Sequence, residues 1–188
     1  YLKKIIKKGV IGELRTIRSS FGFPPFSDKD NIRYDKNLGG GALLDAGAYP
    51  LKISQIFMGN NIYVDSSSIH MDKNKEIDIY GSVQIKDRKS KIVSQCSFGF
   101  DNFYQCNIEF WGSKGKIYTN RIFTAPPEYS PVIELETDIG KEVIILEVDN
   151  HFKKILKYLH TQILTKKNLD DEYEQNITQA RLIREVNS

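Results

Sequence analysis

Cysteine is scarce: Cys96 and Cys106 are the only two in 188 residues. That excludes a disulfide-stapled miniprotein and suits a reducing compartment, the cytoplasm. With six prolines and thirteen glycines, the chain is neither a collagen-like repeat nor a low-complexity sequence. No apolar run has the length needed to span a bilayer, and no signal-peptide pattern is present, so no membrane partner is expected. Neither sign of charge dominates: 27 basic against 24 acidic residues leave a net charge of +3. The basic residues are scattered rather than striped, which argues against nucleic acid as a partner. Only Lys3, Lys4, Lys7 and Lys8 cluster, and they read as the solvated face of a short helix. What is present is an ordinary globular composition, 40% apolar and 27% charged, long enough to bury a core without metal or disulfide. The first residue is Tyr1 rather than Met, so removal of an upstream segment is expected.

The hydrophobic pattern divides the chain into elements. Residues 1–8 are amphipathic and Gly9 is placed to end a helix, while 13–23 alternate as a strand that Pro24 and Pro25 stop. A polar stretch, 25–38, has the length of a functional loop. Helical spacing runs from Gly39 to Met58. Then come seven β-rich runs: 61–71, 75–86, 90–99, 104–111, 116–123, 131–137 and 141–148. In 75–86, Ile77, Ile79, Val83 and Ile85 face one way, and Asp78, Tyr80, Ser82, Gln84 and Lys86 the other. Short turns between the runs predict antiparallel neighbours in a meander-like sheet. If 90–99 and 104–111 form a hairpin, Cys96 falls opposite Cys106, two buried small hydrophobes rather than a disulfide. Asp149 or Asn150 caps a helix over 151–165 with Phe152, Ile155, Leu156, Leu159 and Ile163 at helical spacing, and a last helix covers 172–187. The fold class is α+β: a large, open-faced, predominantly antiparallel sheet with helices packed on one face. The other face, carrying Tyr80, Tyr63 and Trp111 among polar residues, has the composition of an oligomer interface, the alternative being a solvated face with a few large side chains.

Standard catalytic constellations are missing. His70 lies in a β-rich run, while His151 and His160 are nine apart on one helix and do not share a face closely, so no metal site is expected. Gly112-Ser113-Lys114-Gly115-Lys116 lacks the spacing of a phosphate loop and reads as a hairpin turn. Gly39-Gly40-Gly41 precedes a helix, but Leu44 stands where a dinucleotide fingerprint needs its third glycine, and no buried strand precedes it. What remains is Asp45 and Tyr49, four apart on one helix flank and surrounded by the small residues Ala42, Ala46, Gly47 and Ala48. Pro50 predicts a kink beside Tyr49. On their own chemistry these two residues have two readings. One is a buried Asp capping backbone N–H groups beside a core tyrosine. The other is an acid–base tyrosine whose pKa a nearby cation lowers.

The string GGGALLDAGAYPL from Gly39 to Leu51, with Gly9-Val10-Ile11-Gly12-Glu13, Arg33 and WGSKGKI from Trp111 to Ile117, resembles the Gfo/Idh/MocA family (glucose–fructose oxidoreductase and inositol dehydrogenase). The likeness is to the C-terminal domain of its sugar dehydrogenase and NDP-hexose 3-ketoreductase branch, across nearly all 188 residues. The resemblance implies an N-terminal Rossmann domain, absent from this chain, that binds NAD or NADP and supplies a catalytic lysine. It implies that residues 1–188 form a substrate-binding and dimerisation domain, with a sugar or nucleotide-sugar as substrate. Tyr49 then matches the family's proton donor or acceptor, Asp45 the acidic residue one turn earlier, and Arg33 falls in the substrate-facing loop. It also implies a homodimer or higher homo-oligomer through the open sheet face, and a fragment inactive alone. The competing reading is a non-catalytic relative, a scaffold or sugar-sensing regulator.

Overall fold

Eight strands share one sheet in the computed structural model, which describes every residue except Lys29, Lys167 and Ser188. The bounds follow the hydrophobic periods. A short helix α1 (Leu2–Lys7) gives way at Gly9, whose φ of 73° turns the chain toward β1 (Leu14–Gly22). The helical region then carries α2 (Ala48–Met58). The β-rich middle resolves into β2 (Ile62–Asp72), β3 (Ile77–Asp87), β4 (Val93–Gly99), β5 (Gln105–Gly112), β6 (Gly115–Asn120), β7 (Val132–Thr137) and β8 (Gly140–Ile145). Two helices close the described chain, α3 (His151–Thr165) and α4 (Asp170–Val186). Asn150 caps α3, accepting the Lys153 N–H at 2.9 Å. Ser113 and Lys114 form the tight link between β5 and β6 that the sequence predicts as a hairpin turn.

Strand order is where the structure departs from the expected meander. Across the sheet it runs β2-β3-β4-β1-β5-β6-β7-β8, antiparallel throughout except for β1 with β4. β1 is inserted between β4 and β5, so those two strands form no hairpin. The link between them steps around the end of β1, held by the Phe23 N–H on the Gly99 carbonyl (3.2 Å) and the Asn102 N–H on the Phe23 carbonyl (3.1 Å). Cys96 therefore pairs with Ser19, and Cys106 with Phe21, on opposite sides of β1. Both cysteines are free and buried, and burial pushes the Cys96 thiol pKa up, against the pull of the Ser54, Ser94 and Ser19 hydroxyls.

One face of the sheet holds the core. Ile17, Phe21, Val83, Ile85, Cys96, Phe98, Cys106, Ile108, Phe110, Ile117 and Ile133 point beneath the helices, with Leu43, Ala46, Leu51 and Leu182 packed on them. Polar stitches fix α4 to its neighbours: Gln179 Nε2 donates to the Ala48 carbonyl (2.8 Å), and Arg181 Nη2 to the Ile62 carbonyl (2.7 Å). α3 departs from expectation. Its periodic stripe of Phe152, Ile155, Leu156, Leu159 and Ile163 is exposed, by 49–68%, rather than packed on the core.

The opposite face is open and carries the aromatic and polar mixture predicted for it. Trp111 is half exposed under the Arg18 guanidinium (4.8 Å), and Arg18 also pairs with Glu109 at 3.0 Å. Tyr80 stacks on His70 at 4.6 Å, and Arg88 covers Tyr63 at 4.7 Å. Asp78 leaves the polar face assigned to it. Next to a register shift in the β2–β3 pairing, its carboxylate bonds the backbone where the helical region begins.

Candidate active site

The segment bearing Asp45 and Tyr49 is not one regular helix. Leu43–Gly47 is a π turn, in which the Ala48 N–H reaches back five residues to the Leu43 carbonyl, and regular α2 starts only at Ala48. Pro50 explains why. It has no N–H for the carbonyl four residues earlier, and it is tolerated in the first turn of α2, where that donor is needed least. The kink expected beside Tyr49 is thus a turn of different pitch just before it, a kind of insertion that recurs at functional sites.

The glycines in front of the turn tie it to the preceding loop. The N–H groups of Gly39, Gly40 and Gly41 donate to the carbonyls of Lys36 (3.2 Å), Asp35 (2.9 Å) and Arg33 (3.0 Å). Those of Ala42 and Leu43 go to the Asp78 carboxylate, with Leu43 at 2.5 Å from Oδ2. These N–H groups already have protein acceptors, so the glycine run does not fit the phosphates of a dinucleotide. That is the physical counterpart of the missing fingerprint.

Arg33, in a short 3-10 turn capped by Asn31, crosses to the π turn. Its Nε donates to Asp45 Oδ2 at 2.8 Å, its Nη1 lies 3.5 Å from Asn31 Oδ1, and its guanidinium stands 5.0 Å from the Phe26 ring centre. Both side chains of the pair keep about a third of their surface, 37% and 31%. Such a pair adds only about 0.2–1 kcal/mol to stability, so its main effect is orientation. Tyr49 is 42% exposed. Its ring rests on Phe21 (5.0 Å) and Phe123 (5.6 Å), and its hydroxyl has no hydrogen-bond partner among the described residues. Three residues further on, Lys52 is half-buried, which pushes its ammonium pKa down. Asp45 pairs with Arg33 rather than capping backbone groups, and Tyr49 is half-exposed rather than in the core.

Of the three residues chosen from the sequence, Arg33 and Asp45 are in contact, and Tyr49, four positions after Asp45, is half-exposed on Phe21 and Phe123. Sequence reasoning missed the aromatic seat of Tyr49 and the role of Asp78. Among the described residues, no group of three or more His, Cys, Asp or Glu side chains is placed to hold a metal ion. A hollow of about 470 Å³ opens elsewhere, on the outer sheet face between Ser20, Ser68, His70, Tyr80 and Gln105.

Comparison with known proteins joins this geometry to a family. The profile of the GFO/IDH/MocA C-terminal domain matches residues 1–118. A dTDP-3,4-didehydro-2,6-dideoxy-alpha-D-glucose 3-reductase of Actinomadura kijaniata is 31% identical over 182 residues, 97% of this chain and 54% of the relative. The enzyme of the same name from Saccharopolyspora spinosa is 32% identical over 98% of this chain and 57% of its own length. The chain spans about half the length of the curated relatives it matches. A crystal structure of a 3-ketoreductase from Actinomadura kijaniata with NADP and TDP-benzene superposes with a TM-score of 0.92 at 30% identity, covering 99% of this chain and 57% of that one. An aldose-aldose oxidoreductase from Caulobacter crescentus shares the fold, with a TM-score of 0.78 at 19% identity over 98% of this chain and 56% of that one.

Proposed function

The chain belongs to the GFO/IDH/MocA family through its C-terminal domain, and we propose that it forms the substrate side of an NADP-dependent sugar oxidoreductase. In this reading residues 1–188 are the substrate-binding and subunit-contact domain, and a Rossmann domain elsewhere in the full-length protein binds the dinucleotide. The substrate is a nucleotide-linked sugar, as the names of the relatives suggest. The reaction interconverts a ring ketone and a hydroxyl in the cytoplasm, a compartment that two free cysteines suit.

A nicotinamide held by that Rossmann domain would supply the hydride chemistry; this chain's residues handle the proton. Tyr49 donates to the ketone oxygen during reduction and accepts from the hydroxyl during oxidation. One observation carries this: a half-exposed phenol, free of hydrogen bonds to described residues, stands one turn from an Arg33-oriented carboxylate. Asp45 orders the sugar hydroxyls or relays the proton. Arg33 keeps Asp45 in place, and its Nη2, without a partner among the described residues, is available to the substrate. The open face bearing Trp111, Tyr80 and Tyr63 is the subunit contact. Sedimentation of the full-length protein as a monomer would remove that part of the reading.

The test of the chemistry is Tyr49→Phe in the full-length protein, assayed with NADPH and a dTDP-ketosugar. A drop in kcat of about 10²–10⁴-fold, with both ligands still bound, is the expected worth of an acid–base group. Unchanged kcat takes Tyr49 out of the reaction. An unaltered protein that binds the ligands but turns over none of them favours the non-catalytic relative.

A further inference from the structure

Asp78 stands near the head of β3, 35 positions along the chain from the backbone it bonds. The π turn receives no cap from its own neighbourhood, since Ala42 at its N-cap position has no side-chain oxygen. Asp78 meets its first N–H groups instead, those of Ala42 and Leu43. Gly41 makes room for this contact: a Cβ there would lie 2.2 Å from Asp78 Oδ1, and its φ of +119° disfavours any other residue. Gly40 closes the opposite side, where a Cβ would lie 2.6 and 2.7 Å from the carbonyl oxygens of Arg33 and Asp35. One carboxylate and two glycines thus clamp the point from which both the Arg33 loop and the Asp45–Tyr49 flank take their positions.

We propose that Asp78 is a positioning residue for the proton chemistry of Tyr49. By fixing where the π turn begins, it fixes the rotation at which Asp45 meets Arg33 and Tyr49 presents its hydroxyl. A slip of one residue in a helical start turns everything after it by about 100°. A charged acceptor on backbone N–H groups is the stronger kind of hydrogen bond and resists that slip. The inference rests on the assignment of Tyr49 and adds the residue that aims it.

The test is a kinetic cycle in the full-length protein. Asp78→Ala is expected to lower kcat by about 10–100-fold, the effect of misplacing a reacting group by about 1 Å. KM for the nucleotide sugar, which Asp45 and Arg33 face in the proposed reading, should rise by a smaller factor than kcat falls. In a Tyr49→Phe background the same substitution should lower kcat by less than about threefold, because no hydroxyl remains to be misplaced. An equal loss in both backgrounds overturns the proposal. Should Asp78→Ala fail to fold, Asp78→Asn, which keeps one acceptor oxygen, carries the same cycle. Its loss of about 3–10-fold should again vanish without the Tyr49 hydroxyl, and persistence there overturns the proposal. Activity that survives Tyr49→Phe sinks the assignment of Tyr49 itself. Activity lost in Tyr49→Phe but untouched at Asp78 sinks only the role of Asp78.

Discussion

Asp78 carries a carboxylate into a place that does not favour its charge. Burial pushes its pKa above the ordinary carboxylate value, against the pull of the Leu43 and Ala42 N–H groups. A carboxyl that holds its proton more tightly folded than unfolded contributes stability below its unfolded pKa, and that contribution is lost as pH rises through the folded one. Asp78→Asn removes this titration. The stability of the domain should then vary less as pH rises above the ordinary carboxylate range, as urea midpoints would show; the same slope in both proteins contradicts it. Legibility at this scale is uneven. Asp45, Tyr49 and Arg33 are readable because their motif is contiguous or lies just before it. Asp78 reads as one more polar residue in an alternating strand, and nothing local marks it as the partner of a turn 35 residues earlier.

Strand and helix bounds are legible because periods of two and 3.6 report directly on which face is buried. Strand order is not. The short link from β4 to β5 reads as a hairpin, yet it is long enough to step around β1, and loop length alone does not say whether another strand intervenes. The π turn has a partial signal in Pro50, which announces a break but not its pitch. The glycine run in front of it can be tested position by position. Gly39 and Gly41 both have positive φ, 77° and 119°, but only at Gly41 does an added Cβ meet another group, the Asp78 carboxylate. Gly39→Ala should cost about 1–2 kcal/mol, the strain of a left-handed backbone. Gly41→Ala should cost more, because it also displaces a half-buried acceptor and leaves backbone N–H groups unpaired. Chemical denaturation measures both, and equal losses would mean that the contact with Asp78 contributes nothing.

The whole molecule is a sheet with one face buried by α2 and α4 and the other open, and that two-sidedness is what the alternation of apolar and polar residues encodes. The α3 stripe shows a limit of the same signal. Helical periodicity identifies an apolar face but not what it packs against, and here Leu156 and Ile163 remain 68% and 66% exposed. The candidate site is likewise solvent-facing: the Arg33–Asp45 pair and Tyr49 are each partly exposed, and in the proposed reading the dinucleotide domain supplies the facing wall. A crystal structure of the full-length protein with NADP and a dTDP-sugar measures this claim directly, through the distance from Tyr49 Oη to the reacting sugar oxygen. Hydrogen-bond reach, about 2.6–3.2 Å, with Asp45 still held by Arg33, is the expected result. A sugar bound against another face of the domain, with Tyr49 turned to solvent, would contradict it.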